Sequence, residues 1–194
     1  MLIPRPDTEH LAELAIELIE SKNMKQIADF CTGSGALAIS VAKACPDVFM
    51  TGYDISSPAL DVANKNRGCL SAGNVTFRQL DVLTDLPSLA ERYDMVVSNP
   101  PYINGDDMKN LEKTVAEHEP HLALFGGEDG LDFYRVITDN AKCFLNKNGV
   151  LAFEVGHTQA ADVAELMAKT FADIQIKKDY SGIERVVWGI YKNG

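Results

Sequence analysis

The amino-acid sequence predicts an α/β fold, in which a doubly wound and mostly parallel sheet is covered by helices on both faces. Short apolar strand segments alternate with amphipathic helical segments along the whole chain. A glycine-rich turn between Cys31 and Gly35 joins the first strand segment to a helix, as in nucleotide-binding sheets. The last two strand segments are joined by a short loop, which predicts one antiparallel strand near the carboxyl end. We therefore expect a Rossmann-like, seven-stranded sheet in a single domain, residues 1–194.

The individual elements follow from hydrophobic periodicity and from residues that begin or end helices. Leu11, Leu14 and Leu18 fall on one face of a first amphipathic helix. Ser56 and Pro58 predict the start of another helix, because serine caps a helix and proline suits its first turn. Further helices are predicted up to 44 and over 131–148 and 158–171, and a long polar loop over 99–127. The predicted strands are 27–31, 48–53, 75–80, 93–98, 150–155, 174–177 and 185–191.

The charge of the chain argues against a protein that grips nucleic acid on its own. It carries 18 Lys and Arg residues against 28 Asp and Glu residues, with a formal net charge of −10. A nucleic-acid-binding face usually neutralises phosphates with clustered Lys and Arg, and the basic residues of this sequence are spread out. We therefore expect no stable binding to nucleic acid.

Cysteine usage and hydropathy predict a cytoplasmic protein without a bound metal. The four cysteines are scattered and form no Cys-x-x-Cys pair, which fits reduced thiols better than disulfides or a zinc site. His118 and His121 flank Glu119, but no further residue has the spacing of a metal ligand. The sequence contains no apolar run of membrane-spanning length, and its first residues lack the apolar core of a signal peptide.

A cofactor site is predicted at the carboxyl ends of the first three strands, where ligands bind in doubly wound sheets. Gly33 and Gly35 let the backbone approach a ligand where a β-carbon would collide. Asp54 ends the second strand about twenty residues later, where a carboxylate can accept both hydroxyls of a ribose. Asp81 follows the third strand and can accept from the amine of an adenine ring that packs on Val82. On these residues alone, a structural turn and a nicotinamide-dinucleotide site stay open.

The tetrapeptide Asn99-Pro100-Pro101-Tyr102 after the fourth strand points to methyl transfer onto a planar nitrogen. Such a nitrogen is a poor nucleophile because its lone pair is delocalised, so two acceptors must turn that lone pair towards a methyl donor. The Asn99 side-chain oxygen and the Pro100 carbonyl can accept its two N–H bonds, while Tyr102 stacks on the flat group. The sequence therefore favours an S-adenosyl-L-methionine-dependent methyltransferase, with glutamine, adenine and related amines open as acceptors.

The chain resembles the release factor glutamine methyltransferases over nearly its whole length, from Leu2 to Tyr191. Members of this family methylate the side-chain amide of the glutamine in the Gly-Gly-Gln motif of peptide-chain release factors. We expect only the methyltransferase domain here, without the small helical domain that ordinarily precedes it in the family. The resemblance is most specific in Ile3–Glu9, Asn99–Ile103, Glu119-Pro120 with Leu124–Leu131, Asp179–Gly182 and Arg185–Val187.

The resemblance implies a class I methyltransferase sheet, a release factor as partner and a role in translation termination. Cys31 stands where the family usually has glycine, a departure that bears on the backbone shape of the turn. Two alternatives stay open: methylation of an exocyclic amine in DNA or RNA, and a cofactor-binding module without catalysis. The candidate substrate clamp is Asn99, Pro100, Pro101 and Tyr102. The candidate cofactor contacts are Cys31, Thr32, Gly33, Ser34, Gly35, Asp54, Asp81, Val82 and Asn99.

Overall fold

The computed structural model of the chain describes residues 8–110 and 123–192. The strands in these ranges are β1 Gln26–Phe30, β2 Phe49–Asp54, β3 Val75–Gln79, β4 Tyr93–Ser98, β5 Leu145–Glu154, β6 Phe171–Lys178 and β7 Glu184–Tyr191. The helices are α1 Thr8–Lys22, α2 Ala36–Ala44, α3 Ser57–Cys69, α4 Gly105–Asn110, α5 Asp132–Asp139, α6 Ala141–Phe144 and α7 Ala160–Ala168, with a short 3₁₀ helix at Leu86–Ser88. None of the described helices is long and apolar enough to cross a membrane.

The strands form one seven-stranded sheet in the order β3-β2-β1-β4-β5-β7-β6. β7 runs antiparallel to both of its neighbours, and the remaining neighbouring pairs are parallel. The predicted α/β class and the single antiparallel strand are therefore confirmed. The chain builds outward from β1 to β3 and then returns to place β4 on the other side of β1. This reversal opens a crevice at the carboxyl ends of β1 and β4, where ligands bind in such sheets.

The core lies in two layers, one on each face of the sheet. Along β4, Met95 and Val97 face one hydrophobic cluster, and Val96 faces the other. Leu11 of α1 belongs to the first cluster, and Tyr134 of α5 belongs to the second. β4 is buried along nearly its whole length because both of its faces are covered, whereas the edge strand β6 is largely exposed. The loop that follows β4 therefore starts from a strand fixed in the core.

The largest departure from the predicted elements lies between 131 and 155. The sequence predicts one helix that ends near 148, whereas the structure has two short helices and a strand that begins at Leu145. The break falls at Asn140, whose side-chain amide donates to the Val136 carbonyl and whose own carbonyl accepts from the Cys143 N–H. Leu145 pairs with Tyr93 of β4, so a long-range strand contact overrides local helix periodicity.

Part of the predicted polar loop is helical. Asn104 caps α4, because its side-chain oxygen accepts from the Asp107 N–H at 2.8 Å. Asp106 and Asp107 lie in the first turn, where negative charge is favourable. The sequence carried this signal in an Asn followed by acidic residues. The remainder of the predicted loop from 111 to 122 lies outside the described residues.

Candidate active site

A cavity of about 240 Å³ opens at the carboxyl ends of β1, β2, β3 and β4. It lies at the reversal of strand order, as the sequence predicts. Its walls combine the glycine-rich turn after β1, the loops that follow β2 and β3, and the start of the loop after β4. Eight of the candidate cofactor contacts line it: Cys31, Thr32, Gly33, Ser34, Asp54, Asp81, Val82 and Asn99.

The glycine-rich turn uses its two glycines differently. Gly33 has a φ of 56°, and a β-carbon added there would meet no atom within 4 Å, so its backbone borders open space in the cavity. Gly35 has a φ of 75°, but an added β-carbon would lie 2.5 Å from Cζ of Phe77. Gly35 is absent from the cavity lining, and its contact with a cofactor stays a prediction. It permits close packing of the turn on β3.

Cys31 adopts the left-handed backbone conformation that favours glycine, with a φ of 61°. The turn therefore keeps the shape that a glycine would give it, although a cysteine occupies the position. Burial raises the pKa of the Cys31 thiol well above its ordinary value, and the negative charges of Asp54 and Asp29 act in the same direction. The raised pKa favours the neutral thiol, which contributes packing to the cavity wall.

The Asp54 carboxylate is held by two backbone N–H groups, one in the glycine-rich turn and one just before α3. Its Oδ2 accepts from the Gly33 N–H at 2.8 Å, and its Oδ1 accepts from the Ser56 N–H at 2.9 Å. Each carboxylate oxygen has a further lone pair with which to accept a hydroxyl from the cavity. The side chain therefore joins the glycine-rich turn to the start of α3 and still presents two acceptors to a ligand.

Asp29 is a cavity residue that the sequence reasoning missed. It lies in β1 with 1% of its surface exposed, and its Oδ2 accepts from the Thr32 hydroxyl at 2.6 Å. Burial raises the pKa of Asp29 to about 7; the Thr32 hydrogen bond opposes this shift, and the Asp54 charge adds to it. The available signal was an acidic residue inside a buried strand, since aspartate is rarely buried without a partner.

The loop after β3 forms the far wall of the cavity. Asp81 begins a tight turn: its Oδ1 accepts from the Leu83 N–H at 2.9 Å, and its carbonyl accepts from the Asp85 N–H at 2.8 Å. Val82 is buried, whereas Leu83 and Ile55 at the cavity rim are 42% and 41% exposed. These apolar side chains and the Asp81 carboxylate form a cleft that suits a flat ring with a polar edge.

The loop after β4 begins beside the glycine-rich turn. β1 and β4 are parallel with Phe30 opposite Ser98, and the buried Ser98 hydroxyl donates to the Phe30 carbonyl at 2.7 Å. Asn99 follows at once, and its Nδ2 donates to Oγ1 of Thr8 at 3.1 Å. The Asn99 Oδ1 is buried and has no hydrogen-bond partner among the described residues. The amide is thus anchored by its nitrogen and offers an unused acceptor.

A second, smaller cavity of about 20 Å³ adjoins the first. Asn99 and Pro101 line both cavities, so the candidate clamp lies at their junction. Pro100 and Tyr102 line only the smaller one. The structure therefore brings together all four residues of the clamp, with Asn99 and Pro101 at the boundary between the two cavities.

The segment after Ala123 supports this loop from behind. The Ile103 N–H donates to the Leu124 carbonyl at 2.9 Å, and the Gly126 N–H donates to the Ile103 carbonyl at 2.9 Å. A β-carbon at Gly126 would lie 2.6 Å from the Pro101 carbonyl oxygen and 2.7 Å from Cα of Tyr102. Only glycine lets the two backbones approach this closely.

Two of the candidate segments lie wholly or partly outside the described residues. Most of the Ile3–Glu9 segment precedes residue 8, and Glu119-Pro120 lies in the range 111–122, as do His118 and His121. Within the described ranges, no group of three or more His, Cys, Asp or Glu side chains is arranged to hold a metal ion.

Comparison with known proteins identifies the fold and the family of the chain. The family model for the methyltransferase small domain matches residues 8–129. A structure of a ribosomal protein L11 methylase from Lactobacillus delbrueckii subsp. bulgaricus superimposes with a TM-score of 0.68 at 20% identity, covering 98% of this chain and 81% of that one. A structure of TrmN from Thermus thermophilus gives a TM-score of 0.65 at 18% identity over 94% of this chain and 49% of that one. These two likenesses concern the fold.

Curated relatives are more similar in sequence. The release factor glutamine methyltransferase of Clostridium acetobutylicum is 43% identical over 98% of this chain and 67% of its own length. That of Bacillus cereus is 39% identical over 97% of this chain and 68% of its own length. The chain thus spans about two thirds of these relatives. It belongs to the release factor glutamine methyltransferase family, which consists of S-adenosylmethionine-dependent methyltransferases.

Proposed function

We propose that this chain transfers the methyl group of S-adenosyl-L-methionine to the side-chain amide nitrogen of the glutamine in the Gly-Gly-Gln motif of a peptide-chain release factor. We assign cofactor binding to the main cavity and amide binding to the smaller one. In this assignment the described chain acts as a single methyltransferase domain, and Asn99 contacts both ligands.

The charge of the main cavity supports a cationic cofactor. Among the described residues its lining includes the carboxylates of Asp54 and Asp81, the buried carboxyl of Asp29, and no Lys, Arg or His. A nicotinamide dinucleotide carries an anionic pyrophosphate, which these carboxylates would repel. S-adenosyl-L-methionine carries a positive sulfonium and an ammonium group, which they would attract. The residues present therefore fit S-adenosyl-L-methionine, with Asp54 on the ribose and the cleft beside Val82 on the adenine.

The observation that carries the catalytic proposal is the unused Asn99 Oδ1. A buried carbonyl oxygen without a hydrogen-bond donor costs free energy, so its presence at the junction of two cavities indicates a ligand donor. The Thr8 hydroxyl accepts from the nitrogen of the same amide, which fixes the orientation of the amide beside the two cavities. A glutamine amide N–H is a donor of the right kind.

The clamp would activate the amide by orientation. When bound, S-adenosyl-L-methionine supplies an electrophilic methyl group. Asn99 Oδ1 and the Pro100 carbonyl accept the two N–H bonds of the substrate amide, which turns the nitrogen lone pair towards that methyl group. Tyr102 stacks on the amide plane. The nitrogen gains the methyl group as the bond between that methyl group and the cofactor sulfur breaks, S-adenosylhomocysteine leaves, and one proton is released to solvent, so no strong general base is required.

Other parts of the assignment concern partners and location. We propose a release factor as the protein substrate and the cytoplasm as the site of the reaction; the four cysteines are all free thiols, which supports a reducing compartment. The formal net charge of −10 disfavours nucleic acid as a stable partner. The two glycines before the substrate glutamine would let its backbone enter a narrow cleft without side-chain collisions.

The experiment offers the chain four acceptors with labelled S-adenosyl-L-methionine: a release factor, the same factor with Gln→Ala in its Gly-Gly-Gln motif, tRNA and DNA. We expect label only in the unmodified factor, with mass spectrometry placing the methyl group on the glutamine. Asn99→Ala should reduce single-turnover transfer by roughly a hundredfold, as loss of a preorganised polar partner does in other active sites.

The matched control is Asn64→Ala, which alters an exposed asparagine of α3 and should transfer at the normal rate. Methyl transfer to tRNA or DNA but not to the glutamine would contradict the proposed substrate and would indicate that the acceptor is an amine of a nucleic acid. An Asn99→Ala variant with a normal rate would show that the amide is held elsewhere.

A further inference from the structure

The side chain of Gln159 joins three segments that are remote in the chain. It lies in the turn between β5 and α7 and is partly buried. Its Nε2 donates to the Tyr102 carbonyl at 3.0 Å and to the Gly130 carbonyl at 3.2 Å. Its Oε1 accepts from the Gly156 N–H at 3.1 Å. One amide therefore ties the candidate clamp to the 126–131 turn and to the end of β5.

The two ends of this amide have different roles. The Oε1 contact is local, because it accepts from the N–H of Gly156, three residues earlier in the turn that precedes α7. A glutamate oxygen would accept from this N–H at least as well. The Nε2 group donates to carbonyls of residues that lie 57 and 29 positions away in the chain. These carbonyls need an N–H donor, which the amide of glutamine supplies and the carboxylate of glutamate does not. The local turn contact therefore leaves the choice of glutamine over glutamate unexplained.

Two glycines make room for this amide. A β-carbon at Gly130 would lie 2.7 Å from Gln159 Nε2 and 2.4 Å from the Tyr102 carbonyl oxygen. A β-carbon at Gly156 would lie 2.7 Å from Gln159 Oε1 and 3.3 Å from Cδ2 of Tyr102. Both glycines thus allow the backbone to close around the Gln159 amide and the Tyr102 residue together.

We infer that Gln159 is a positioning residue for methyl transfer, holding the Tyr102 backbone so that the Asn99–Tyr102 clamp keeps its geometry. Gln159 lines neither cavity, and it reaches the clamp through its hydrogen bond to the Tyr102 carbonyl. The expected effect on the rate of methyl transfer rests on the proposed function. The expected effect on the Tyr102 backbone does not. Because Tyr102 is absent from the lining of the main cavity, loss of the Nε2 bonds should spare cofactor binding.

The test is Gln159→Glu, which keeps the shape of the side chain and the oxygen that accepts from the Gly156 N–H, and replaces the Nε2 donor with an acceptor. The matched control is Gln175→Glu, the same change at an exposed position of the edge strand β6. At saturating cofactor we expect single-turnover transfer to fall at least about tenfold, the effect of losing about one net hydrogen bond. The dissociation constant for S-adenosyl-L-methionine should stay within about twofold, since the cavity is intact.

Two further measurements separate positioning from general stability. Amide hydrogen exchange of the unliganded protein should accelerate about tenfold at Ile103 and Gly126, and stay unchanged in the sheet. Transfer by Gln159→Glu should recover as pH is lowered, because the protonated side chain regains one donor. The Gln175→Glu control should show neither effect.

Unchanged exchange at Ile103 together with normal transfer would overturn the inference. So would a loss of cofactor affinity and thermal stability that matches the loss of transfer, which indicates a general structural role. If the unmodified protein methylates nucleic acid, or nothing, the proposed function fails; the exchange and cofactor measurements still decide whether Gln159 holds the clamp.

Discussion

Asp54 provides a direct test of the cofactor assignment. Asp54→Ala removes an acceptor of two backbone N–H groups, those of Gly33 and Ser56, and also the two acceptors offered to the ribose. A hydrogen bond to a charged group contributes about 1.5–3 kcal/mol. Two lost ribose bonds therefore correspond to at least about 3 kcal/mol, or roughly a hundredfold weaker binding of S-adenosyl-L-methionine.

The same change should affect the unliganded protein much less. The Gly33 and Ser56 N–H groups are only partly buried, so water can replace the lost acceptor, and we expect the free energy of unfolding to fall by about 1–2 kcal/mol. Asp54→Asn keeps one acceptor oxygen and should bind the cofactor with intermediate affinity. Titration calorimetry and thermal unfolding measure the two effects separately.

The Asp54 prediction has a matched control variant and a result that would contradict it. Asp61→Ala removes an exposed carboxylate of α3 and should leave cofactor affinity unchanged. If Asp54→Ala and Asp54→Asn bind S-adenosyl-L-methionine as tightly as the unmodified protein, the ribose contact is wrong. A preference of the unmodified protein for a nicotinamide dinucleotide would refute the cofactor assignment as a whole.

Two further predictions concern the walls of the site. Asp29 has a pKa of about 7 when folded and 3.8 when unfolded. The folded state therefore keeps a proton that the unfolded state releases, and Asp29 costs stability increasingly from pH 4 to pH 7, by up to about 4 kcal/mol. Asp29→Asn should gain stability over the unmodified protein across that window in denaturant titrations; a constant difference would contradict the burial argument. Gly126→Ala should reduce methyl transfer at least about tenfold, because its β-carbon would meet the Pro101 carbonyl oxygen at 2.6 Å; Gly73→Ala, in open space, should have no effect in the same assay.

Much of the fold follows from the sequence because the relevant signals are local. The Tyr93–Ser98 strand has the predicted bounds, because its residues form one largely apolar run that is buried on both faces of the sheet. Ser56 caps α3 as predicted, with its Oγ accepting from the Ala59 N–H at 3.3 Å. The position of the site follows in the same way, because the carboxyl ends of parallel strands meet at one edge of the sheet.

Other features depend on contacts between residues that are remote in the chain. β6 begins at Phe171, within the predicted helix, because that residue pairs with Tyr191 of β7. Gly35 packs closely against Phe77 of β3, a strand that the turn meets only in the folded sheet. Periodicity alone describes the residues on one element and cannot place the partner that lies against it.

The candidate clamp shows most clearly what the sequence determines and what the tertiary structure decides. Its residue types, and therefore the class of nitrogen it can hold, are written in Asn99-Pro100-Pro101-Tyr102. Its orientation is decided by a hydrogen bond from Asn99 to Thr8, 91 residues away, and by Gln159, 57 residues beyond Tyr102. The sequence by itself determines which donors and acceptors are available; the order of the strands decides which of them meet, and so which oxygen is left free for a substrate.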